Sequence, residues 1–375
     1  MTQRTAELNR STVHDMSPLP SARDRGRQSF IFHAKRHLGQ FARLQLQAEF
    51  DRAAGQEAAQ PQHSTGAEAT YLSGNPAFAA WSALNIGSQQ QMWRALSDMV
   101  LRQRDQMVAR AETLLTQPPL GSLKLDTQLS LPGYFTDTAY HGQPGGYCLD
   151  DHDSDWFSGA LQEAGGTLYS RGAGTGEKDS KGQAVVRFIR ERFPDFVPEK
   201  LVDLGCGYGG QTSNYVAGFP EAEAHGVDLG AGLLRYAHLR AQSLRLPIHF
   251  KQACASDTGF PDASFDLVVS NILLHEIPRE MLEGVMRESF RVLKPGGLVV
   301  HQDVPTQRQD TPAFQRWLSN WQVEHNDEPF WRVFSETAVP EALVAAGFDS
   351  QQVFEAYQPQ VDGPLVWYMV GARKL

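Results

Sequence analysis

Val202-Asp203-Leu204-Gly205-Cys206-Gly207-Tyr208-Gly209-Gly210 decides how this chain is read. The apolar run from Leu201 to Leu204 carries an acid near its end, three alternate glycines follow, and a helical pattern begins. A strand that turns so abruptly into a helix needs residues without Cβ, because the backbone must reach unusual φ/ψ values. A ligand lying against the main chain imposes the same need. Taken as Gly205-x-Gly207-x-x-Gly210, the glycines also fit the dinucleotide fingerprint, so by themselves they leave the ligand open.

The next βα unit narrows the choice. Ala224-His225-Gly226-Val227-Asp228-Leu229 reads as a strand with Asp228 at its carboxyl end. Ligands of open parallel sheets lie outside the carboxyl ends of the strands, where a carboxylate can accept two hydrogen bonds from a ribose diol. Further on, Phe260-Pro261-Asp262-Ala263-Ser264-Phe265-Asp266-Leu267-Val268-Val269-Ser270 runs into Asn271-Ile272-Leu273-Leu274-His275-Glu276-Ile277. Arg291-Val292-Leu293-Lys294-Pro295-Gly296-Gly297-Leu298-Val299-Val300 follows. These four motifs, in this order, resemble a class I S-adenosylmethionine (SAM)-dependent methyltransferase domain from about residue 200 to 305.

The resemblance implies SAM as cofactor. It implies that Gly205, Cys206, Gly207 and Gly209 lie against it. Asp203 would orient the loop or hold the SAM ammonium, Asp228 would hold the ribose, and Leu229 would pack on the adenine. The plainer readings are a tight turn without ligand for the glycines and a helix N-cap for Asp228. The resembled family usually has an acid at the position of Cys254, followed by a small residue, here Ala255. A thiol is a poor acceptor for the adenine amino group, so Asp257, Ser256 or the backbone would have to serve. Asn271 and His275 would stand beside the transferred methyl, with His275 as a candidate general base; a packing histidine at a helix start is the alternative. His301 and Asp303, ending the fifth strand, carry the same ambiguity.

The whole chain bounds the function further. It has 375 residues and 41% hydrophobic content, enough for one large domain or two ordinary ones. A net charge of −9 argues against a partner held by phosphate neutralisation, so no nucleic acid is expected. Cys148, Cys206 and Cys254 are odd in number and irregularly spaced, against a disulfide framework or a cysteine metal site, and a reduced cytoplasmic setting follows. No apolar stretch approaches the ~20 residues of a membrane helix. The first thirty residues hold five arginines and no apolar core, which is not a signal peptide.

Along the chain, residues 1–26 lack periodicity and are expected to be disordered. Residues 27–117 read as a helical domain: an amphipathic helix or kinked pair over 28–54, a polar linker over 55–74, and a long helix over 75–115 interrupted near Gly87. Residues 118–195 read as a connecting or lid segment, irregular until a helix at 182–192. Residues 196–375 carry strands near 201–204, 223–227, 248–252, 265–270, 297–303, 351–357 and 365–371. The expected fold is α/β: a doubly wound, Rossmann-like, seven-stranded sheet with an antiparallel last strand and an N-terminal helical region. The first half, through Gln143-Pro144-Gly145-Gly146-Tyr147 and Asn326-Asp327-Glu328-Pro329-Phe330-Trp331, is similar to N-terminal regions of bacterial proteins that carry a methyltransferase domain. That likeness bears on architecture and not on substrate.

Tyr134, Tyr140, His141, Tyr147 and Tyr169 crowd the segment before the strand at 201–204. There the resembled family often folds a lid over the cofactor, and tyrosine faces suit a sulfonium. Tyr140 and His141 join His275 as catalytic candidates, and Tyr169 as a cofactor contact; an aromatic core between two domains is the alternative. Trp317, Trp321, Asn326, Glu328, Phe330 and Trp331 would suit an organic substrate pocket, or a helical interface with residues 28–115. The lead expectation is methyl transfer to a small organic molecule. The alternatives are SAM-consuming chemistry without methylation (cyclisation of SAM or aminocarboxypropyl transfer, releasing methylthioadenosine) and a non-catalytic SAM-binding scaffold. The amphipathic helix at 75–115 leaves room for a homodimer.

Overall fold

Continuous apolar runs flanked by Gly, Asp and Asn become the inner strands of an eight-stranded sheet. The computed structural model describes residues 13–57, 74–150, 155–172, 181–305, 312–359 and 366–375. The strands are β1 (Ser122–Lys124), β2 (Lys200–Leu204), β3 (Glu223–Asp228), β4 (Ile248–Gln252), β5 (Phe265–Asn271), β6 (Leu293–Asp303), β7 (Val353–Pro359) and β8 (Val366–Arg373). Their order is β1-β4-β3-β2-β5-β6-β8-β7. β1 through β6 pair in parallel, while β8 runs antiparallel to both β6 and β7. The chain order reverses between β2 and β5, and ligands gather at such a switch point.

Eight strands stand where seven were expected. The extra one, β1, is three residues long and carries no readable period. It reaches β4 through Gly121, where a Cβ would lie 1.9 Å from the Ile248 carbonyl oxygen. The sheet is filled on both faces. Leu201, Ile248, Leu267, Val269 and Val300 pack one side under the helices Lys181–Arg192 and Gly210–Gly218. Val202, Leu204, Val268, Val299 and Tyr368 pack the other, under Arg279–Val292 and Val339–Ala345.

The helical half departs from expectation in two places. Residues 13–26 are not a disordered tail: Met16 is fully buried, and Ser21 and Asp24 form a reciprocal capping box at the start of the helix Ala22–Arg36. Residues 1–12 of the stretch expected to be disordered lie outside the described residues. The kinked pair is found as Ala22–Arg36 and Arg43–Glu57 joined by a π-helical segment, His37–Ala42. The long helix runs through Gly87 without a break, as Pro76–Arg102, and is interrupted at Gln103 before Arg104–Leu115. Asn75 caps its start, accepting from the amides of Ala77 and Phe78.

Part of the segment expected to be irregular is a helix, Phe157–Gly172. Gly165 and Gly166 suggest a loop in sequence. In space Gly165 makes room for Trp93, whose Cη2 would lie 2.3 Å from a Cβ there. This helix lies between the helical half and the sheet, with Leu161 and Leu168 in one cluster with Trp93, Leu96, Met99, Tyr236 and Leu239. A second contact joins the two halves: Trp81 and Phe78 meet Trp321 and Trp317, each at 4.8 Å between ring centroids. Trp317 and Trp321 thus follow the second of their two readings, a helical interface with residues 28–115, and are absent from the cavity lining.

Candidate active site

The carboxyl ends of β2, β3 and β5 open on a cavity of about 470 Å³. The loop after β2 is pinned to β3, because the amides of Gly205 and Cys206 donate to the Val227 carbonyl at 2.8 and 3.0 Å. Gly205 (φ 72°) and Gly207 (φ 52°) are left-handed and line the cavity, and a Cβ on Gly207 would lie 2.8 Å from Gln162 Oε1. Gly209 (φ 74°) is the N-cap of the following helix and faces Phe250 and Ala237 rather than the cavity. Its role is in the turn. Cys206 lines the cavity, but burial raises its thiol pKa well above the ordinary value, and Asp228 and Asp203 add to that.

Two carboxylates face the loop. Asp203 Oδ2 accepts from Thr212 Oγ1 at 2.6 Å, while its buried Oδ1 has no hydrogen-bond partner among the described residues. Burial, partly offset by the Thr212 hydroxyl and reinforced by Asp228, pushes this carboxyl up to about 7. Leaving such a group unpaired costs on the order of 1–3 kcal/mol, and a ligand ammonium is the donor that would remove the penalty. Asp228 accepts from the amides of Gly207 at 2.8 Å and Gly230 at 2.9 Å. Burial raises it to about 6 against the pull of those donors. Each of its oxygens keeps a lone pair for a diol. Gly230, not Asp228, is the N-cap of the helix Ala231–Leu244. Leu229, Cys254, Ala255 and Ser256 form the adjoining wall, with Cys254 Sγ 3.1 Å from Ser256 Oγ. Asp257 donates its amide to the Cys254 carbonyl at 3.0 Å and closes that turn.

The other end of the cavity holds a network of acids and histidines. His275, 1% exposed, places Nδ1 2.6 Å from Asp303 Oδ1. Asp303 is held in turn by the amides of Leu274 (2.8 Å) and Val304 (2.7 Å). In the neutral ring with Nδ1–H given to Asp303, Nε2 carries the lone pair; in the protonated ring both nitrogens donate. The His275 pKa is raised: burial opposes, and the charges of Asp303, Glu328 and Glu276 prevail. His141 bridges two acids, with Nε2 3.1 Å from Glu276 Oε1 and Nδ1 2.6 Å from Glu328 Oε1. Burial works against its charge, but Glu328 and Glu276 raise it to about 10. Glu328 Oε2 is buried without a hydrogen-bond partner among the described residues, and His275 Nε2 stands 3.8 Å from it. The Trp331 ring lies 5.0 Å from the His275 ring, and its indole N–H is likewise buried and unpaired.

Backbone strain concentrates here. His141 (φ 57°) and Ile272 (φ 57°) are left-handed non-glycine residues, and Ile272 is β-branched. His141 is held so by its carbonyl, which accepts from Trp93 Nε1 at 2.7 Å and Gln89 Nε2 at 2.8 Å. The helix Pro76–Arg102 thereby fixes the wall of the cavity.

The cavity brings together Asp203, Gly205, Cys206, Gly207, Asp228, Leu229, Ala255, Asn271, Tyr140, His141 and His275, all singled out in the sequence. Asn271 donates its side-chain amide to Gln302 Oε1. Tyr140 is a strut: its hydroxyl reaches the carbonyls of Glu276 (2.9 Å) and Tyr134 (3.1 Å), and its ring stacks on Tyr147 at 5.0 Å. The Tyr169 side chain lies outside the described residues. His301 is held by Ser270 at 2.8 Å, and burial lowers it to about 4. It is a core residue. Sequence reasoning passed over Glu276, although it stood in a quoted motif, and over Gln162, Gln89 and Trp93. Those three carry no motif, and only packing brings them to the cavity.

A switch-point cavity, a glycine loop between two buried acids and an unpaired carboxylate oxygen fit a class I SAM-dependent methyltransferase domain. Residues 201–297 match the family described as "Methyltransferase domain". The chain is 32% identical over 126 residues to a fatty-acid O-methyltransferase of Mycolicibacterium smegmatis, covering 34% of this chain and 44% of the other. It is 31% identical over 136 residues to phosphoethanolamine N-methyltransferase 1 of Arabidopsis thaliana, covering 36% and 27%. The chain spans less than half the length of these curated relatives. A solved 1,6-didemethyltoxoflavin-N1-methyltransferase of Burkholderia thailandensis is 19% identical, with a TM-score of 0.36 and coverage of 52% and 79%.

Proposed function

We propose that the chain transfers the methyl group of SAM to a small organic acceptor, and that the helical half and residues 118–195 form the acceptor side of the cavity. The observation that carries this reading is Asp203 Oδ1, a buried carboxylate oxygen at the glycine loop without a donor of its own. Asp203 would hold the ammonium, the Gly205 and Gly207 backbone the methionine and adenosine parts, Asp228 the ribose, and Leu229 and Ala255 the adenine. SAM when bound supplies an electrophilic methyl on a sulfonium, so the protein has mainly to align the acceptor and exclude water. His275, oriented by Asp303, is the proton acceptor for a nucleophile that must lose a proton. Tyr140 and His141 are positioning residues, since their polar atoms are engaged by the Glu276 carbonyl and by the Glu276 and Glu328 carboxylates.

The relatives' acceptors, a fatty acid and phosphoethanolamine by their names, are both small organic molecules and support that class. A bacterial, cytoplasmic setting is part of the reading, supported by three free thiols. A homodimer and the absence of a nucleic-acid partner, the latter resting on the acidic charge, complete it. Among the described residues no helix is long and apolar enough to cross a membrane.

Calorimetric titration with SAM, followed by mass spectrometry of the nucleosides, tests the proposal. Binding that leaves SAM intact until an acceptor is added, and then yields S-adenosylhomocysteine, is expected. Methylthioadenosine as the product would replace methylation by cyclisation or aminocarboxypropyl transfer. Absence of binding would remove the cofactor assignment.

A further inference from the structure

We infer that the acceptor is an organic amine bound as its ammonium ion between Glu328 and His275; this rests on the SAM-dependent reading above. Glu328 is 1% exposed and lines the cavity. Its Oε1 is engaged by His141 Nδ1 at 2.6 Å and Asn326 Nδ2 at 3.4 Å. Its Oε2 has no hydrogen-bond partner among the described residues, and His275 Nε2 stands beyond bonding reach of it at 3.8 Å. His275 Nε2 is itself 4.0 Å from Glu276 Oε1. In the neutral ring whose Nδ1–H is given to Asp303, His275 Nε2 is an acceptor, so it and Glu328 Oε2 are two acceptors that face one space.

The chemistry of candidate acceptors separates them. A carboxylate brings no hydrogen and meets Glu276, Glu328 and Asp303. A hydroxyl brings one hydrogen and satisfies one of the two acceptors. A primary or secondary ammonium brings two or more, and can donate to Glu328 Oε2 and His275 Nε2 together. Its charge is also matched by the excess of carboxylates and by the Trp331 ring beside His275. The unpaired indole N–H of Trp331 favours an amine that also carries an oxygen acceptor.

The proton balance closes with the residues present. The ammonium passes one proton to His275 Nε2, and Asp303 at 2.6 Å steadies the imidazolium. The freed nitrogen lone pair forms the N–C bond as the C–S bond breaks, the electron pair staying on sulfur. His275 then returns its proton to solvent.

The test uses the full chain saturated with S-adenosylhomocysteine, whose own binding is measured first by calorimetry. Three matched probes follow: 2-phenoxyethylamine, 2-phenoxyethanol and phenoxyacetate. The expected result is that the amine binds about ten-fold or more tightly than the alcohol, the ratio set by one charge-assisted bond, with the carboxylate weakest. Glu328→Gln removes that preference and leaves S-adenosylhomocysteine affinity unchanged, which also shows that the variant is folded. Equal or stronger binding of the alcohol or carboxylate by the wild type overturns the inference. So does absence of amine binding at millimolar concentration, or an amine preference that survives in Glu328→Gln. The wild-type comparison stands even if that variant fails to fold. Failure to bind S-adenosylhomocysteine at all would instead strike the cofactor reading on which the inference rests.

Discussion

At the scale of single residues, Asp203 and Asp228 hold the cofactor in the proposed assignment, and their protonation would set its pH response. Burial holds Asp203 at about 7 and Asp228 at about 6 in the free protein. Each carboxyl is thus neutral below its value and charged above it, and an ammonium and a diol both require the charged form. SAM affinity should rise with pH through about 6 to 7, with a proton released on binding. Calorimetry in two buffers of different ionisation heat reads this directly; a pH-independent affinity without proton release would exclude it. Asp228→Ala should weaken SAM binding about ten-fold or more, because charge-assisted bonds are lost and the Gly207 amide loses its acceptor. Unchanged affinity would sink the ribose assignment. His141 responds in the opposite sense. Its folded pKa of about 10 lies above the unfolded value of 6.5, so its bridge between Glu276 and Glu328 contributes fully below pH 6.5 and is lost as pH rises through 10. The difference in melting temperature between wild type and His141→Asn should shrink across that window. A constant difference would show that the bridge is not electrostatic.

At the scale of elements, glycine was the residue most easily misread. Gly205 and Gly207 were legible because their spacing lies between a strand and a helix. Gly165 was not, because a helical glycine chosen for close approach leaves no periodic mark. The helix Phe157–Gly172 consequently looked irregular. Gly165→Ala should cost about 1–3 kcal/mol, the price of forcing Trp93 aside. Urea unfolding measures it, and a loss below a few tenths of a kcal/mol would mean that the helix can shift freely. β1 escaped for a related reason: three residues at a sheet edge have no alternation to detect. The inner strands β2 to β6 and the antiparallel β8 were readable, since burial on both faces demands unbroken apolar runs.

At the scale of the whole molecule, Glu163 ties the N-terminal segment to the sheet domain. Its carboxylate meets His14 Nε2 at 2.9 Å, Tyr236 Oη at 2.5 Å and Arg240 Nε at 3.0 Å. Burial opposes ionisation, but Arg240 and His14 outweigh it and hold the pKa at about 2. Glu163→Ala should destabilise the protein by about 3–5 kcal/mol, because it leaves Arg240 buried without its counterion. Chemical denaturation with separate probes of the two halves would also show whether they then unfold apart; a neutral effect would show that the halves are held by their apolar contacts alone. The sequence by itself determined the class of sheet, the glycine loop flanked by Asp203 and Asp228, and the placing of His275 at the same cavity. These depend on local backbone demands that leave fixed spacings. Only the tertiary structure decided the other end of the cavity, where His141, Glu276, His275, Asp303 and Glu328 meet. Their mutual distances depend on how the helix Pro76–Arg102 and the segment after β6 pack over the sheet, and no spacing within one strand or helix records that.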